Sequence, residues 1–368
     1  MLYLPWWKII HSAMASRKPT FDDCYQALPE LKPPRNLDKF WQDAILALKR
    51  LPVEPQQKLV LKKSFGKESL SDIAFQSLGP TIIRGQLFLP RRRGKAPVVI
   101  HFPDYDERAS FPGAVKDYSR TLTEKGIALL SVNLRQAPAG SAPKPTAAAT
   151  VSTTRGAARP GRASSTATAR SSRTPGSATV EAPISPLMAM GLEPVEKSYL
   201  AHCYLDALRA VDFLRLQKGI DSARIALLGR GLGAAMASFV AHMRKDSVVG
   251  MSLERPSPAW ISRWLDDSTG SMAEQIRELM RQKSGSRAKW KKSLELLDPI
   301  NWASSIQVPV LFSAGLEDSV HPPMSVFGLF NHLQTEKAMQ FFTDEEQDPT
   351  GKKERLTSLD FLVEQLNP

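Results

Sequence analysis

Apolar positions follow two rhythms along this chain. Continuous apolar runs at 97–102, 127–133, 225–228, 248–253 and 308–314 read as strands buried on both faces. Elsewhere apolar residues recur three and four apart. Leu37, Phe40, Trp41, Ala44, Ile45 and Leu48 predict a helix over 37–50, capped by Asn36 and stopped by Pro52. Tyr199, Leu200, Cys203, Leu205, Leu208, Val211, Phe213 and Leu214 predict a second over 197–217, with Gly219 just past its end. Further helices are expected at 113–125, from 232 to about 244, at 325–334 and at 353–366. Residues 57–65, 71–78 and 81–89 read as three strands of an antiparallel start, and 338–342 as a late strand. Strand, helix, strand from 97 to 133 is a βαβ unit, which requires a parallel pair. The fold class is therefore α/β, a mostly parallel central sheet with helices on both faces. Residues 256–297 carry Pro, Trp and amphipathic stretches that predict a helical cap over the C-terminal edge of the sheet.

The pattern breaks between 136 and 183. Ala, Ser, Thr, Pro, Gly and Arg dominate there, with almost no large apolar side chains. Such a stretch buries too little surface to offset the entropy of ordering it, so a low-complexity, disordered insert is expected. It separates residues 31–135 from 184–368, the two parts of one domain, and residues 1–30 form an N-terminal extension.

Around 225–235 the chain passes from a buried strand through a Gly-rich corner, Gly229-Arg230-Gly231-Leu232-Gly233, into an apolar helix. That is the shape of a nucleophile elbow, Gly-x-Ser-x-Gly, in an α/β-hydrolase. The middle position, which should carry the attacking oxygen, is Gly231.

Composition narrows the alternatives. In 368 residues, 42% hydrophobic and 23% charged content suit a globular protein with a sizeable core. Two distant cysteines, Cys24 and Cys203, cannot form a disulfide framework or a zinc site. The net charge of +12 is scattered. Its densest run, Arg91-Arg92-Arg93-Gly94-Lys95, reads as a solvated hairpin, and no nucleic-acid motif is present. The apolar start, broken by Pro5 and Lys8, is too short to span a bilayer, and a cytoplasmic location is expected. No metal or cofactor is expected. His101 ends a buried strand and reads as a core histidine; His202 and His242 lie on helices and read as structural.

Several motifs then agree in order and spacing: Asp38-Lys39-Phe40-Trp41, Asp206-Ala207-Leu208-Arg209-Ala210-Val211, Asp298-Pro299-Ile300-Asn301-Trp302-Ala303, the strand ending Gly315-Leu316-Glu317-Asp318, and Pro322-Pro323-Met324-Ser325-Val326-Phe327. On these the chain resembles the acetyl xylan esterase / cephalosporin C deacetylase family of α/β-hydrolases. The resemblance implies an α/β-hydrolase fold and a serine esterase triad. It places the family's acid on Asp318, its nucleophilic serine on Gly231 and its base histidine on Gln347. The family's oxyanion loop falls on Pro103-Asp104-Tyr105-Asp106-Glu107, where acids replace glycines. Asp104 and Leu232 are thus the oxyanion and binding positions, and an acid there opposes a developing oxyanion. His321 replaces a family cysteine and is a possible substitute base.

Three readings follow. The first is a hydrolytically inactive protein that keeps a cleft for an acetylated small molecule or carbohydrate. The second is an active deacetylase with relocated groups such as His321. The third is a structural subunit, since the resemblance implies homo-oligomers.

Overall fold

The computed structural model describes residues 18–64, 68–106, 113–136, 187–282, 284–344, 348 and 351–367. The expected insert at 136–183 lies, Gln136 apart, outside the described residues, and so does Gln347.

Nine strands among the described residues are β1 (Gln56–Ser64), β2 (Glu68–Gln76), β3 (Ile82–Pro90), β4 (Ala96–Phe102), β5 (Ala128–Val132), β6 (Ile220–Arg230), β7 (Val248–Glu254), β8 (Val310–Gly315) and β9 (Lys337–Phe342). They form one sheet in the order β1-β2-β3-β5-β4-β6-β7-β8-β9. The first three are antiparallel neighbours, and β3 pairs antiparallel with β5. Every pairing from β5 through β4 to β9 is parallel. All of β4, β5 and β8 is buried, as strands covered on both faces must be.

The helices are α1 (Phe21–Tyr25), α2 (Leu37–Lys49), α3 (Gly113–Glu124), α4 (Tyr199–Arg215), α5 (Leu232–Met243), α6 (Ile261–Asp267), α7 (Ser271–Gln282), α8 (Arg287–Glu295), α9 (Ile300–Ala303), α10 (Pro323–His332) and α11 (Lys352–Leu366). One face is covered by α3 and α11. Val115, Tyr118 and Leu122 from the first and Leu359, Leu362 and Leu366 from the second pack with Val99, Leu129 and Leu228. Against the other face, α4 and α5 join α2 and α9 in an aromatic cluster of Trp41, Tyr204, Phe239 and Trp302. No helix among the described residues is long and apolar enough to cross a membrane.

Two local expectations are corrected. Asn36 stands at the start of α2, but its side chain makes no capping bond. Residues 91–95 are exposed but do not close a hairpin, because β5 lies between β3 and β4 in the sheet. The shared motifs have structural work. Asp206 takes a two-point ion pair from Arg135 at 2.6 and 2.7 Å. Asp298 accepts the backbone N–H of Ile261 at 2.6 Å and of Ile300 at 3.2 Å, tying the cap helices to α9.

Candidate active site

The parallel strands end together, and their C-terminal ends carry the site, as in open α/β sheets generally. Gly231 follows β6 and starts α5 with φ +50° and ψ −116°, a backbone state that side chains rarely adopt. The corner is tight. A Cβ on Gly233 would lie 2.0 Å from the carbonyl oxygen of Phe102, so helix and strand approach too closely for any side chain there. The elbow expected at 229–233 is present.

A Cβ on Gly231 would lie 1.9 Å from Asp104 Oδ1. The volume where a serine side chain would begin is filled by the carboxylate of Asp104, from the loop after β4. Asp104 is only 7% exposed. Its Oδ1 accepts the backbone N–H of Leu232 at 3.1 Å and of Tyr105 at 2.6 Å. In an elbow, the N–H of the residue after the nucleophile is an oxyanion-hole donor. The residue after Gly231 is Leu232, and a carboxylate oxygen already holds its N–H.

The other oxygen, Oδ2, lies 3.0 Å from His321 Nε2. His321 Nδ1 lies 3.2 Å from Asp318 Oδ2. Asp318 also accepts the backbone N–H groups of Val320 and His321 at 3.0 and 2.8 Å, which fold the loop back on itself. The result is a closed chain: two backbone N–H groups, Asp104, His321, Asp318. Both imidazole nitrogens face carboxylates, so each carries a proton and donates. Burial alone would lower the His321 pKa. The adjacent Asp104 charge and the bonds to Asp104 and Asp318 outweigh it, and His321 is pushed up to about 9. Burial would likewise raise the two acids, but His321 holds both below the usual carboxylate range, with help from Arg255 at Asp318 and from backbone N–H groups at both.

Three site neighbours carry no local sequence signal of their role. Arg255, after β7, bonds Asp318 at 3.0 Å and Glu354 at 3.0 Å. Arg230, inside the elbow, bonds Glu354 at 2.6 Å and lies 3.6 Å from Glu254. Glu354, in the first turn of α11, is fully buried and also accepts the Ser313 hydroxyl. Arg230 was in plain view within the Gly-rich corner. Nothing local marks its partner, 124 residues on.

The structure therefore brings together Gly231, Leu232, Asp104, Asp318 and His321. The other histidines among the described residues stand apart. His101 is buried, bonded to Ser131 at 2.9 Å and lowered by burial to about 4, as a core histidine should be. His202 meets Arg135 at 2.9 Å, and His332 meets the Pro29 carbonyl at 2.8 Å. Among the described residues no group of three or more His, Cys, Asp or Glu is placed to hold a metal ion.

Sheet order, elbow and the loop after β8 together define an α/β-hydrolase. The chain belongs to the acetyl xylan esterase (AXE1) family, whose profile matches residues 20–365. Its fold is that of the acetyl xylan esterase from Paenibacillus sp. R4, with a TM-score of 0.73 at 19% identity over 93% of this chain and 99% of that one. Acetyl xylan esterase 1 from Thermoanaerobacterium sp. JW/SL YS485 superposes with a TM-score of 0.73 at 17% identity, over 95% and 99%. The sequence is also similar to the α/β-hydrolase domain-containing protein WAV2 of Arabidopsis thaliana, 26% identical over 34% of this chain and 40% of that one. The acetyl esterase Axe7A of Xylanibacter ruminicola is 23% identical over 40% of this chain. These matches span 40% and 32% of the two relatives' lengths.

Proposed function

We propose that this protein is a hydrolytically silent member of its family, with a carboxylate of its own chain lodged where substrate chemistry would occur. The observation that carries this reading is the bond from Leu232 N–H to Asp104 Oδ1. Three requirements of acyl transfer are unmet. The elbow offers no hydroxyl, since position 231 is glycine. The oxyanion donor is spent on a fixed negative charge, which repels a second one. The buried imidazole beside the elbow is charged and has no lone pair to take a proton. Loss of the nucleophile from such a unit costs about 10⁶ in turnover, and a blocked oxyanion site removes what remains. On this reading the protein recognises an acetylated carbohydrate or small molecule without hydrolysing it.

One observation favours a second reading, an esterase in which His321 activates water: Asp318 and His321 keep an acid–imidazole bond. Turnover of p-nitrophenyl acetate separates the two. The silent reading expects the purified protein to match the buffer blank and to resist fluorophosphonate labelling. Turnover above the blank that vanishes in His321→Ala would replace it with the second.

A further inference from the structure

Helix α5 runs 12 residues from Gly231, about 18 Å, and a cleft opens at its far end. It lies between α2, the end of α5 and α9, with a volume of about 240 Å³. Trp41 and Trp302, each 2% exposed, and Ile45 give it an apolar wall. Asp38 and Gln42 are exposed at its rim, and His242 and Asn301 are half-buried in it.

The hydrogen bonds already made fix what the polar groups still offer. Ser305 Oγ donates its single proton to the Trp302 carbonyl at 2.7 Å. Its bond to His242 Nδ1 must therefore be received, with Nδ1–H as donor. Burial, reinforced by Lys245, lowers His242 to about 4 against the opposing pull of Asp38, so the ring is neutral. A neutral ring protonated at Nδ1 leaves Nε2 as an open acceptor. Asn301 gives one N–H to the Glu295 carbonyl at 2.6 Å, which leaves its second N–H as a donor and its Oδ1 as a second acceptor. The Asp38 carboxylate is a third. The Trp41 indole N–H, buried without a partner among the described residues, adds a donor, and a mixed set of donors and acceptors beside an aromatic wall calls for several hydroxyls, each able to give and take a bond, on a ring with an apolar face. The positive charge of Lys245 near His242 offsets Asp38, so the ligand need carry no charge. The volume is below the roughly 300–1,000 Å³ of clefts for drug-sized ligands, which suits a single small ring.

We propose that this cleft binds a neutral polyhydroxylated ring of the size of one pyranose, either free or as the end of an oligosaccharide, at a site remote from the elbow. The proposal does not depend on whether the elbow is silent.

Saturation-transfer NMR on the full chain with D-xylose, xylotetraose and tetramethylammonium tests it. The expected result is transfer to the sugars, with affinity at least about tenfold weaker in both His242→Phe and Gln42→Trp. The first keeps the ring against Trp302 and removes the acceptor. The second closes the rim from an exposed position, so it stays informative if the first fails to fold. Tighter binding of xylotetraose than of xylose identifies a chain end, and equal affinity a free sugar. No transfer to either sugar at millimolar concentration, binding of tetramethylammonium alone, or sugar binding untouched in Gln42→Trp would overturn the proposal.

Discussion

Gly231 is occupied space rather than an empty socket. A serine placed there would push its Cβ to 1.9 Å from Asp104 Oδ1, in a backbone state with φ +50°. Placing a hydroxyl here therefore means evicting a buried carboxylate that holds two N–H groups and an imidazolium. Gly231→Ser is expected to lose about 1–3 kcal/mol of stability in urea denaturation, from strain and displaced bonds, and to gain no esterase activity. Retained stability with new turnover would mean that Asp104 moves aside freely. At this scale the sequence disclosed part of the site. Asp318 and the missing hydroxyl were legible because each sits in a local motif. That His321 would be involved could be suspected from its place three residues on. The filling of the socket by Asp104 was not legible, because Leu232 lies 128 residues further along and only the folded sheet joins them. An acid could be assigned to the oxyanion loop, but not the direction of its side chain.

Among the elements, α11 shows how the site is braced from behind. Its apolar face covers β4, β6 and β7, while its first turn sends Glu354 into the strand ends. There Glu354 binds Arg230 and Arg255, and Arg255 passes the connection on to Asp318. Glu354→Gln keeps the shape but leaves two guanidinium groups short of a counter-charge. Removing one partner of a buried pair costs about 3–5 kcal/mol, and a loss of that size is expected in chemical denaturation. A change below about 1 kcal/mol would show that solvent already screens the two arginines. The elements themselves were well forecast, since strand and helix periods are local properties. Long-range pairing was not. Nothing near 91–95 says that β5 will insert between β3 and β4, and the exposed turn there carries the same local signals as a hairpin. Glu354 fell within an expected helix, but its helical pattern gave no sign that a charged residue would be fully buried.

For the whole molecule, the closed chain makes stability depend on pH in a defined direction. The folded-state pKa of His321 is raised from 6.5 to about 9. Its contribution is complete below about pH 6.5 and is lost as pH rises through 9, a change of order 3 kcal/mol. Asp104 and Asp318 have lowered pKa values, so their contribution is present at neutral pH and falls away in acid, below the ordinary carboxylate range near 3.8. Thermal unfolding across pH 6 to 10 is expected to show an alkaline decline that His321→Gln largely removes. A decline that persists unchanged in that variant would place the alkaline-sensitive group elsewhere.

The central claim is that the imidazole beside the elbow is a charged strut between two carboxylates and not a base in waiting. A ¹⁵N NMR titration of the His321 side chain measures this directly. Both ring nitrogens should read as protonated through pH 7, with a midpoint near 9. A neutral ring at pH 7, with one nitrogen free to accept a proton, would contradict the account.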